Sequence, residues 1–221
     1  MLIPHINFTM RVLLISLLIL CNHISCSAQA SAVANLKQNV VYIGLHNPFI
    51  VVAEQQPCEA IFVTTDNGRL EQWEDACQYI YFPEKEGKAT ITIHSITNGD
   101  TTAIGKHGFR VKKLPDPTAK VAQKSSGSVS AAVLRVQSGI VASLIGFDVH
   151  ARFPVMEYSV IAQKSSGMTI SLSATGAFFT EPILELFNQL EPKDVVIFAG
   201  IKARGPDGRI RSLAPIELTI E

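Results

Sequence analysis

The sequence lacks a net charge and the motifs of common enzyme classes, and each absence narrows the possible function. Lysine and arginine together number 19, and so do aspartate and glutamate. This balance gives the chain no overall field for nucleic acid or for an acidic membrane. The sequence contains no H-E-x-x-H, G-x-S-x-G, phosphate loop, dinucleotide fingerprint or paired C-x-x-C. We therefore predict a non-enzymatic protein with no catalytic residue, metal site or cofactor.

The longest apolar run, "VLLISLLILC", follows Arg11 and precedes the small, polar stretch "SCSAQA". Its core of roughly ten residues is half the length of about 20 that a permanent membrane helix needs. A short apolar core followed by an A-x-A pattern, here Ala28 and Ala30, is typical of a secretory signal peptide. We predict a signal peptide over residues 1–30 and a mature chain without a transmembrane span. The periplasm is the expected destination, with the cell surface and secretion as alternatives.

Cysteine is scarce, and two of the four cysteines fall within the predicted signal peptide. The remaining pair, Cys58 and Cys77, would lie in a compartment where disulfides persist, and an even pair in an exported protein is more often bridged than free. A metal pair and a reactive nucleophile are the weaker alternatives, because the spacing is far from that of a zinc knuckle.

Short runs rich in Val, Ile, Thr, Tyr and Phe follow one another from residue 39, separated by turn clusters such as "TDNGR", "EKEG" and "TNGD". This spacing predicts a small β-sandwich over residues 39–113. The stretch "LEQWEDACQ" is interpreted as a short helical turn or an exposed loop. Pro115 and Pro117 each remove a backbone donor, so we predict a linker over residues 114–118.

The second module, residues 119–221, is predicted to be β-rich with one or two helices, so the fold class is mainly β. One predicted helix, in "SVSAAVLRVQSG", ends at Gly139; the other, in "TEPILELFNQL", has Thr180 as N-cap and Pro182 in its first turn. A change in the parity of apolar residues predicts a β-bulge or a bend at Pro154. The hexapeptide "AQKSSG", found at 122–127 and 162–167, is interpreted as one strand-ending loop used twice.

Four basic residues surround the turn "GPDG" near the C-terminus. A hairpin closed between Arg204 and Arg209 would place these two opposite each other, with Lys202 and Arg211 on the same face. A solvated face is the simpler interpretation. The sharper hypothesis is a basic ridge, Lys202, Arg204, Arg209 and Arg211, that docks onto an acidic partner.

Four stretches in order, "YIGLHNP", "FRVKKLPDP", "GFDVHARFPV" and "IKARGPDGRIRSLAPI", resemble the C-terminal periplasmic half of the gliding-motility protein GldM and its secretion counterpart PorM. The resemblance runs from about residue 39 to the C-terminus. It implies the third and fourth of four β-rich modules in an elongated dimer of the type IX secretion and gliding machinery. A predicted signal peptide stands where that family has a membrane helix and two further modules.

The leading functional hypothesis is accordingly an exported adaptor or structural subunit that acts by protein–protein contacts. The resemblance implies protein partners among the periplasmic or outer-membrane type IX components, and a homodimer. The alternative is a binding module for peptide or glycan, which exposed aromatic side chains around Trp73, Tyr79 and Tyr81 would favour.

Overall fold

A computed structural model describes residues 39–54, 56–147 and 151–221 of the chain. The predicted signal peptide, residues 1–30, lies outside the described residues. Within those three ranges no helix has the length and apolar character needed to cross a membrane.

Seven strands form the first module, and they divide into two sheets. Their bounds are β1 (Val40–Tyr42), β2 (Asn47–Ile50), β3 (Ile61–Thr65), β4 (Arg69–Trp73), β5 (Asp75–Phe82), β6 (Gly87–Thr97) and β7 (Asp100–Lys112). The four-stranded sheet has the order β1-β7-β6-β3, and the three-stranded sheet has the order β2-β5-β4. Strand β1 is parallel to β7, whereas the other pairs are antiparallel.

The two sheets of the first module face each other across an apolar core, as strand alternation requires. Val41 and Val111 from the four-stranded sheet pack with Tyr81 from the three-stranded sheet, and Tyr81 is fully buried. Its hydroxyl donates to the carbonyl oxygen of Asn67 at 2.5 Å. The predicted sandwich is therefore present.

Eight strands and two α-helices form the second module. Their bounds are β8 (Thr118–Lys120), β9 (Ser126–Val129), α1 (Ala131–Arg135), β10 (Val141–Ser143), β11 (Val155–Gln163), β12 (Thr169–Thr175), α2 (Glu181–Asn188), β13 (Val195–Arg204), β14 (Ile210–Ser212) and β15 (Ile216–Ile220). The main sheet has the order β12-β11-β13-β15-β9, with β14 paired to β13, and β10 pairs with β8. The prediction of a mainly β chain with two β-rich modules is confirmed.

Helix α2 covers the inner face of the main sheet. It begins after Thr180, with Pro182 in its first turn, as predicted. Its residues Ile183, Leu186 and Phe187 are buried. The Phe187 ring lies 6.2 Å from that of Phe198 on β13.

Helix α1 ends at Arg135, whereas the prediction placed its end at Gly139, so the helix is shorter than predicted. The Ser130 hydroxyl caps it by accepting from the Val133 N–H. Gly139 has a different role: a Cβ at this position would lie 2.2 Å from the carbonyl oxygen of Ala177. Glycine is required there for close backbone approach, and the pattern resembled a helix stop only by coincidence of spacing.

Two further local predictions are corrected, one of a helical turn or loop and one of a bulge or bend. The stretch "LEQWEDACQ" forms the β4–β5 hairpin, in which Glu74 has φ +52° and Trp73 pairs with Asp75. The irregularity predicted at Pro154 lies instead between Val155 and Ser159, where the pairing of β11 with β13 shifts register. Pro154 directly precedes the strand, a position that proline tolerates because no ladder donor is needed.

The two copies of "AQKSSG" adopt different structures, so their interpretation as one loop used twice is wrong. In the first copy Ala122 and Gln123 form the turn itself, with φ +50° and +61°, while Val121 and Lys124 exchange backbone hydrogen bonds. Positive φ at both central residues is the signature of a type I′ turn. In the second copy Ala162 and Gln163 still belong to β11.

The turn within the second copy is held by a buried ion pair. Lys164 Nζ donates to Asp194 Oδ2 at 2.6 Å, and the Asp194 side chain is fully buried. Backbone N–H groups of Ser165 and Glu191 also donate to this carboxylate. Burial alone would raise the pKa of Asp194, but these hydrogen bonds outweigh it and lower the pKa to about 2.

Candidate functional site

The basic hairpin near the C-terminus has a different register from the predicted one. Arg204 pairs with Ile210, not with Arg209, and Ala203 pairs with Arg211. The turn carries one residue more than a two-residue hairpin. The Gly208 N–H donates to the Gly205 oxygen, and Gly208, with φ +77°, is the additional residue. A slip of one residue moves side chains to the opposite face of a strand.

The register places Arg211 inside the molecule, so the ridge of four basic residues on one face is wrong. The Arg211 side chain is 4% exposed and Asp207, its partner, is 1% exposed. The guanidinium donates from Nη1 to Asp207 Oδ1 at 2.9 Å and from Nη2 to Oδ2 at 2.7 Å. Two parallel bonds of this kind fix both side chains in one orientation.

Each partner shifts the ionisation of the other. Hydrogen bonds from Arg211 lower the pKa of Asp207, although burial opposes this shift. The same hydrogen bonds raise the pKa of Arg211, and burial again opposes the shift. The guanidinium carbon also lies 5.5 Å from the centre of the Phe153 ring, within the range of a cation–π contact. The pair therefore stays charged at neutral pH.

The linker residues between the modules join this cluster. Asp116 Oδ1 lies 3.0 Å from Arg211 Nε, and the Asp116 side chain is 73% exposed. Leu114 is 3% exposed and packs into the core of the second module. The stretch 114–117 is thus attached to the second module by an apolar contact at Leu114 and an ion pair at Asp116.

The first module meets the same hairpin through its loop between β1 and β2. Asn47 organises this loop, because its Nδ2 donates to the carbonyl oxygens of Tyr42, Leu45 and Tyr81, and its Oδ1 accepts from the Tyr42 N–H. Gly44, in the same loop, has φ +83° and lies against Asp207. Hydrogen bonds from one side chain to several backbone groups of a loop hold the loop backbone in one conformation.

Aromatic and aliphatic side chains of this loop extend the contact. The rings of Tyr42 and Phe147 are 5.9 Å apart in an edge-to-face arrangement. Tyr42 and Leu45 both pack against the core of the second module. The two modules therefore share a junction that combines apolar packing with a buried ion pair at its centre.

The other three basic residues of the predicted ridge remain on the surface. Lys202 Nζ lies 2.8 Å from Glu157 Oε1, an exposed cross-strand pair. Arg204 and Arg209 are exposed. Arg209 is close enough to Glu86 in the first module to contribute to its low pKa, after the larger effect of the hydrogen bond from Lys113.

The predicted disulfide pair and the predicted binding aromatics occupy the first module. Cys58 and Cys77 form a disulfide, with their Cα atoms 5.1 Å apart. Trp73 is 42% exposed, but Tyr79 and Tyr81 are 8% and 0% exposed. Because both tyrosines belong to the core, the exposed aromatic surface suggested by the sequence is reduced to Trp73. No group of three or more potential metal ligands occurs among the described residues.

Comparison with known proteins places both modules in one family. Residues 30–112 match the family model of the GldM third domain, and residues 115–221 match that of the GldM C-terminal domain. No curated protein matches the chain.

Two solved structures are similar at low identity. The fibronectin(III)-like modules of CbhA from Clostridium thermocellum share 12% identity over 82% of this chain and 88% of theirs, with a TM-score of 0.27. The adhesin InvE from Yersinia pseudotuberculosis shares 10% identity over 83% of this chain and 57% of its own, with a TM-score of 0.27. The family assignment does not depend on these structures: with both of its modules matched, the chain belongs to the GldM family and carries the third and C-terminal domains.

Proposed function

We propose that this chain is a non-enzymatic exported adaptor that holds two β modules in a fixed relation and presents them to protein partners of the type IX secretion and gliding machinery. The proposed modules are residues 39–113 and 119–221, joined by residues 114–118. The observation that carries the proposal is the buried Arg211–Asp207 pair, which binds linker and hairpin together at the junction. A buried ion pair joined by two parallel hydrogen bonds holds both side chains in one orientation.

The deepest charged groups in the described part of the chain serve structure. Arg211 and Asp194 are 5% and 0% exposed, and each carries an ion pair at hydrogen-bond distance. A catalytic acid or base needs access to substrate, which these groups do not have. This assignment of the buried charges favours a structural role.

The docking surface is proposed to be the exposed remainder of the predicted ridge: Lys202, Arg204 and Arg209. Arg204 forms no ion pair among the described residues, and Lys202 is only partly neutralised by Glu157. Exposed basic residues near the end of a rigid hairpin would accelerate capture of an acidic partner surface.

Pull-down from envelope extracts tests this function. The wild-type protein is expected to enrich periplasmic or outer-membrane type IX components, and the double variant Arg204→Glu/Arg209→Glu should enrich them several-fold less. The matched control is Lys85→Glu/Lys88→Glu, which reverses the same amount of charge on exposed residues of the first module. Equal loss in both variants, or no enrichment by the wild type, contradicts the proposal.

The alternative of peptide or glycan binding around Trp73 is separable by the same preparation. A soluble glycan or peptide ligand whose binding is abolished by Trp73→Ala, with no protein enriched, would favour that alternative.

A further inference from the structure

An asparagine or aspartate directly before glycine can react with its own main chain. The nitrogen of the glycine attacks the side-chain carbonyl carbon, and it is little hindered because glycine has no Cβ. The attack needs a side chain that is free to turn towards the backbone and a turn that can leave its folded conformation. Three positions of the chain have such a pair: Asn67 before Gly68, Asn98 before Gly99 and Asp207 before Gly208.

The side chain of Asn67 is held on both of its polar atoms. Its Nδ2 donates to the carbonyl oxygen of Lys85 at 2.7 Å, and its Oδ1 accepts from the N–H groups of Glu84 and Lys85 at 3.3 and 3.0 Å. Gly68 is packed closely as well, because a Cβ on it would lie 2.1 Å from the carbonyl oxygen of Phe82. A reaction at Asn67 would first have to break these hydrogen bonds.

The carboxylate of Asp207 is held by the buried ion pair. Both of its oxygens accept from Arg211, and Oδ1 also accepts from the Arg209 N–H at 3.2 Å. Asp207 therefore cannot turn towards the Gly208 nitrogen while the ion pair is intact.

Asn98 has none of these restraints. It lies at the end of the β6–β7 hairpin, where Thr97 pairs with Asp100 across a two-residue turn. Asn98 and Gly99 have φ +54° and +88°, as a type I′ turn requires. Asn98 is exposed, and no residue that the structure describes hydrogen-bonds to its side chain. A Cβ on Gly99 would meet nothing within 4 Å.

The end of this hairpin is also weakly supported. Strand β3 pairs with β6 from Ile91 to Ser95, and beyond Ser95 no described strand other than β7 pairs with β6. Residues 96–104 are all exposed. A register shift between Ile93 and His94 separates this part of the ladder from the rest. A two-stranded ribbon without buried side chains opens locally at a low cost in free energy.

We propose that Asn98 is a site of spontaneous covalent modification, at which asparagine is converted into aspartate and isoaspartate. The Gly99 nitrogen forms a bond to Asn98 Cγ, and the bond from Cγ to Nδ2 breaks. Nδ2 leaves as ammonia, together with the proton that the Gly99 nitrogen loses. Water then opens the cyclic imide. Opening at Cγ gives aspartate, and opening at the main-chain carbonyl carbon gives isoaspartate, so water is the only other reactant.

The two products differ in their effect on the hairpin. Both place a negative charge beside Asp100. Aspartate keeps the main chain unchanged and tolerates positive φ much as asparagine does. Isoaspartate inserts a methylene group into the main chain, so the turn no longer closes with Thr97 opposite Asp100. We expect the ladder to open from the turn back to the register shift at Ile93 and His94.

Incubation of the purified protein in neutral buffer, followed by peptide mapping and labelling with isoaspartyl methyltransferase, tests the proposal. Asn67 is the internal control, because it has the same following residue in the same molecule. Asn98 should react at least about tenfold faster than Asn67, since the hydrogen bonds of Asn67 must break first. Equal rates in the folded protein, or a faster reaction at Asn67, overturn the proposal.

The same measurement in concentrated urea separates structure from sequence. Unfolding removes the hydrogen bonds of Asn67, so the two rates should converge. If Asn98 keeps its full advantage in urea, its preference comes from the neighbouring sequence and the structural argument is overturned.

Amide exchange in freshly prepared Asn98→Asp and in the incubated wild type tests the effect on the hairpin. The variant has the added charge without the added methylene group. Exchange at Thr97 and Asp100 should be faster in the isoaspartate fraction of the wild type than in Asn98→Asp. Equal exchange would overturn the expected opening of the ladder. None of these measurements depends on the adaptor function, which the pull-down tests separately.

Discussion

Gly44 in the first module lies so close to Asp207 in the second that a Cβ on Gly44 would be 2.4 Å from the Asp207 nitrogen. No side chain fits at that distance without movement of the hairpin turn. The contact therefore reports directly on whether the two modules stay together in solution.

Gly44→Ala is expected to open the junction. The matched control is Gly99→Ala, because Gly99 has φ +88°, close to the +83° of Gly44, and its Cβ would meet nothing within 4 Å. Both variants lose roughly 1 kcal/mol from the strained backbone. Only Gly44→Ala should also increase the radius of gyration measured by small-angle scattering. An unchanged radius in both variants would show that the hairpin adjusts without separation of the modules.

Removal of Asp207 should cost far more than removal of Asp116. Asp207→Ala leaves the buried Arg211 guanidinium without its bidentate partner, which is expected to lower the free energy of unfolding by roughly 3 kcal/mol or more. Asp116 is 73% exposed, so Asp116→Ala should cost less than about 1 kcal/mol. Chemical denaturation of the two variants measures the difference. Equal costs would mean that the pair contributes nothing specific to the junction.

The Lys164–Asp194 pair predicts a loss of stability in acid. The folded pKa of Asp194 is about 2, below its ordinary value of 3.8. A lowered folded pKa gives stability that is complete above about pH 4 and disappears as the pH falls toward 2, here roughly 2 kcal/mol. Urea denaturation of the wild type and Asp194→Asn at pH 7, 4 and 2.5 should show the gap between them narrowing in acid. A gap that is constant with pH would contradict the assignment.

The two copies of "AQKSSG" should respond to glycine in opposite directions. Gln123 has φ +61° in a turn, so Gln123→Gly should raise the free energy of unfolding by about 0.5–1 kcal/mol. Gln163 pairs with Thr169 and Val195 inside a sheet, so Gln163→Gly should lower it by a similar amount. Thermal unfolding of the two variants compares the same substitution in the same local sequence. Shifts of the same sign would argue against the type I′ turn.

Reduction of the disulfide between Cys58 and Cys77 should destabilise the first module. The two cysteines are 19 positions apart, a loop for which cross-linking stabilises by about 3 kcal/mol. Urea denaturation with and without dithiothreitol measures the loss. The double variant Cys58→Ala/Cys77→Ala serves as the control, because a reductant should leave its stability unchanged.

Much of the strand content was predictable because it depends on local signals. Alternating β-branched residues bounded by glycine and asparagine turns gave most strands, and the Thr180–Pro182 signal gave α2. The β4–β5 hairpin was missed, since Glu71 and Gln72 on β4 and Glu74 in the turn are exposed and the turn has no glycine. Exposed strands carry little of the apolar pattern on which such predictions depend.

The candidate site was predictable only in part, because it depends on long-range geometry. The sequence indicated that the hairpin residues were of interest, but the position of Arg211 depends on one additional residue in the turn. The partner of Arg211 in the linker, Asp116, is 95 positions away in the chain (211 − 116). No local pattern predicts a pairing over that distance. The net charge of the sequence also does not distinguish a buried cation from an exposed one.

Both modules pair a strand near their start in parallel with their last strand: β1 with β7, and β9 with β15. A pull on the two ends of either module would therefore drag these partners along their length in opposite directions. The hydrogen bonds between them would be loaded together, in shear, and would not break one after another as they do when strands peel apart. The tension at which these parallel pairs slip, rather than equilibrium stability, would set the load that each module can carry.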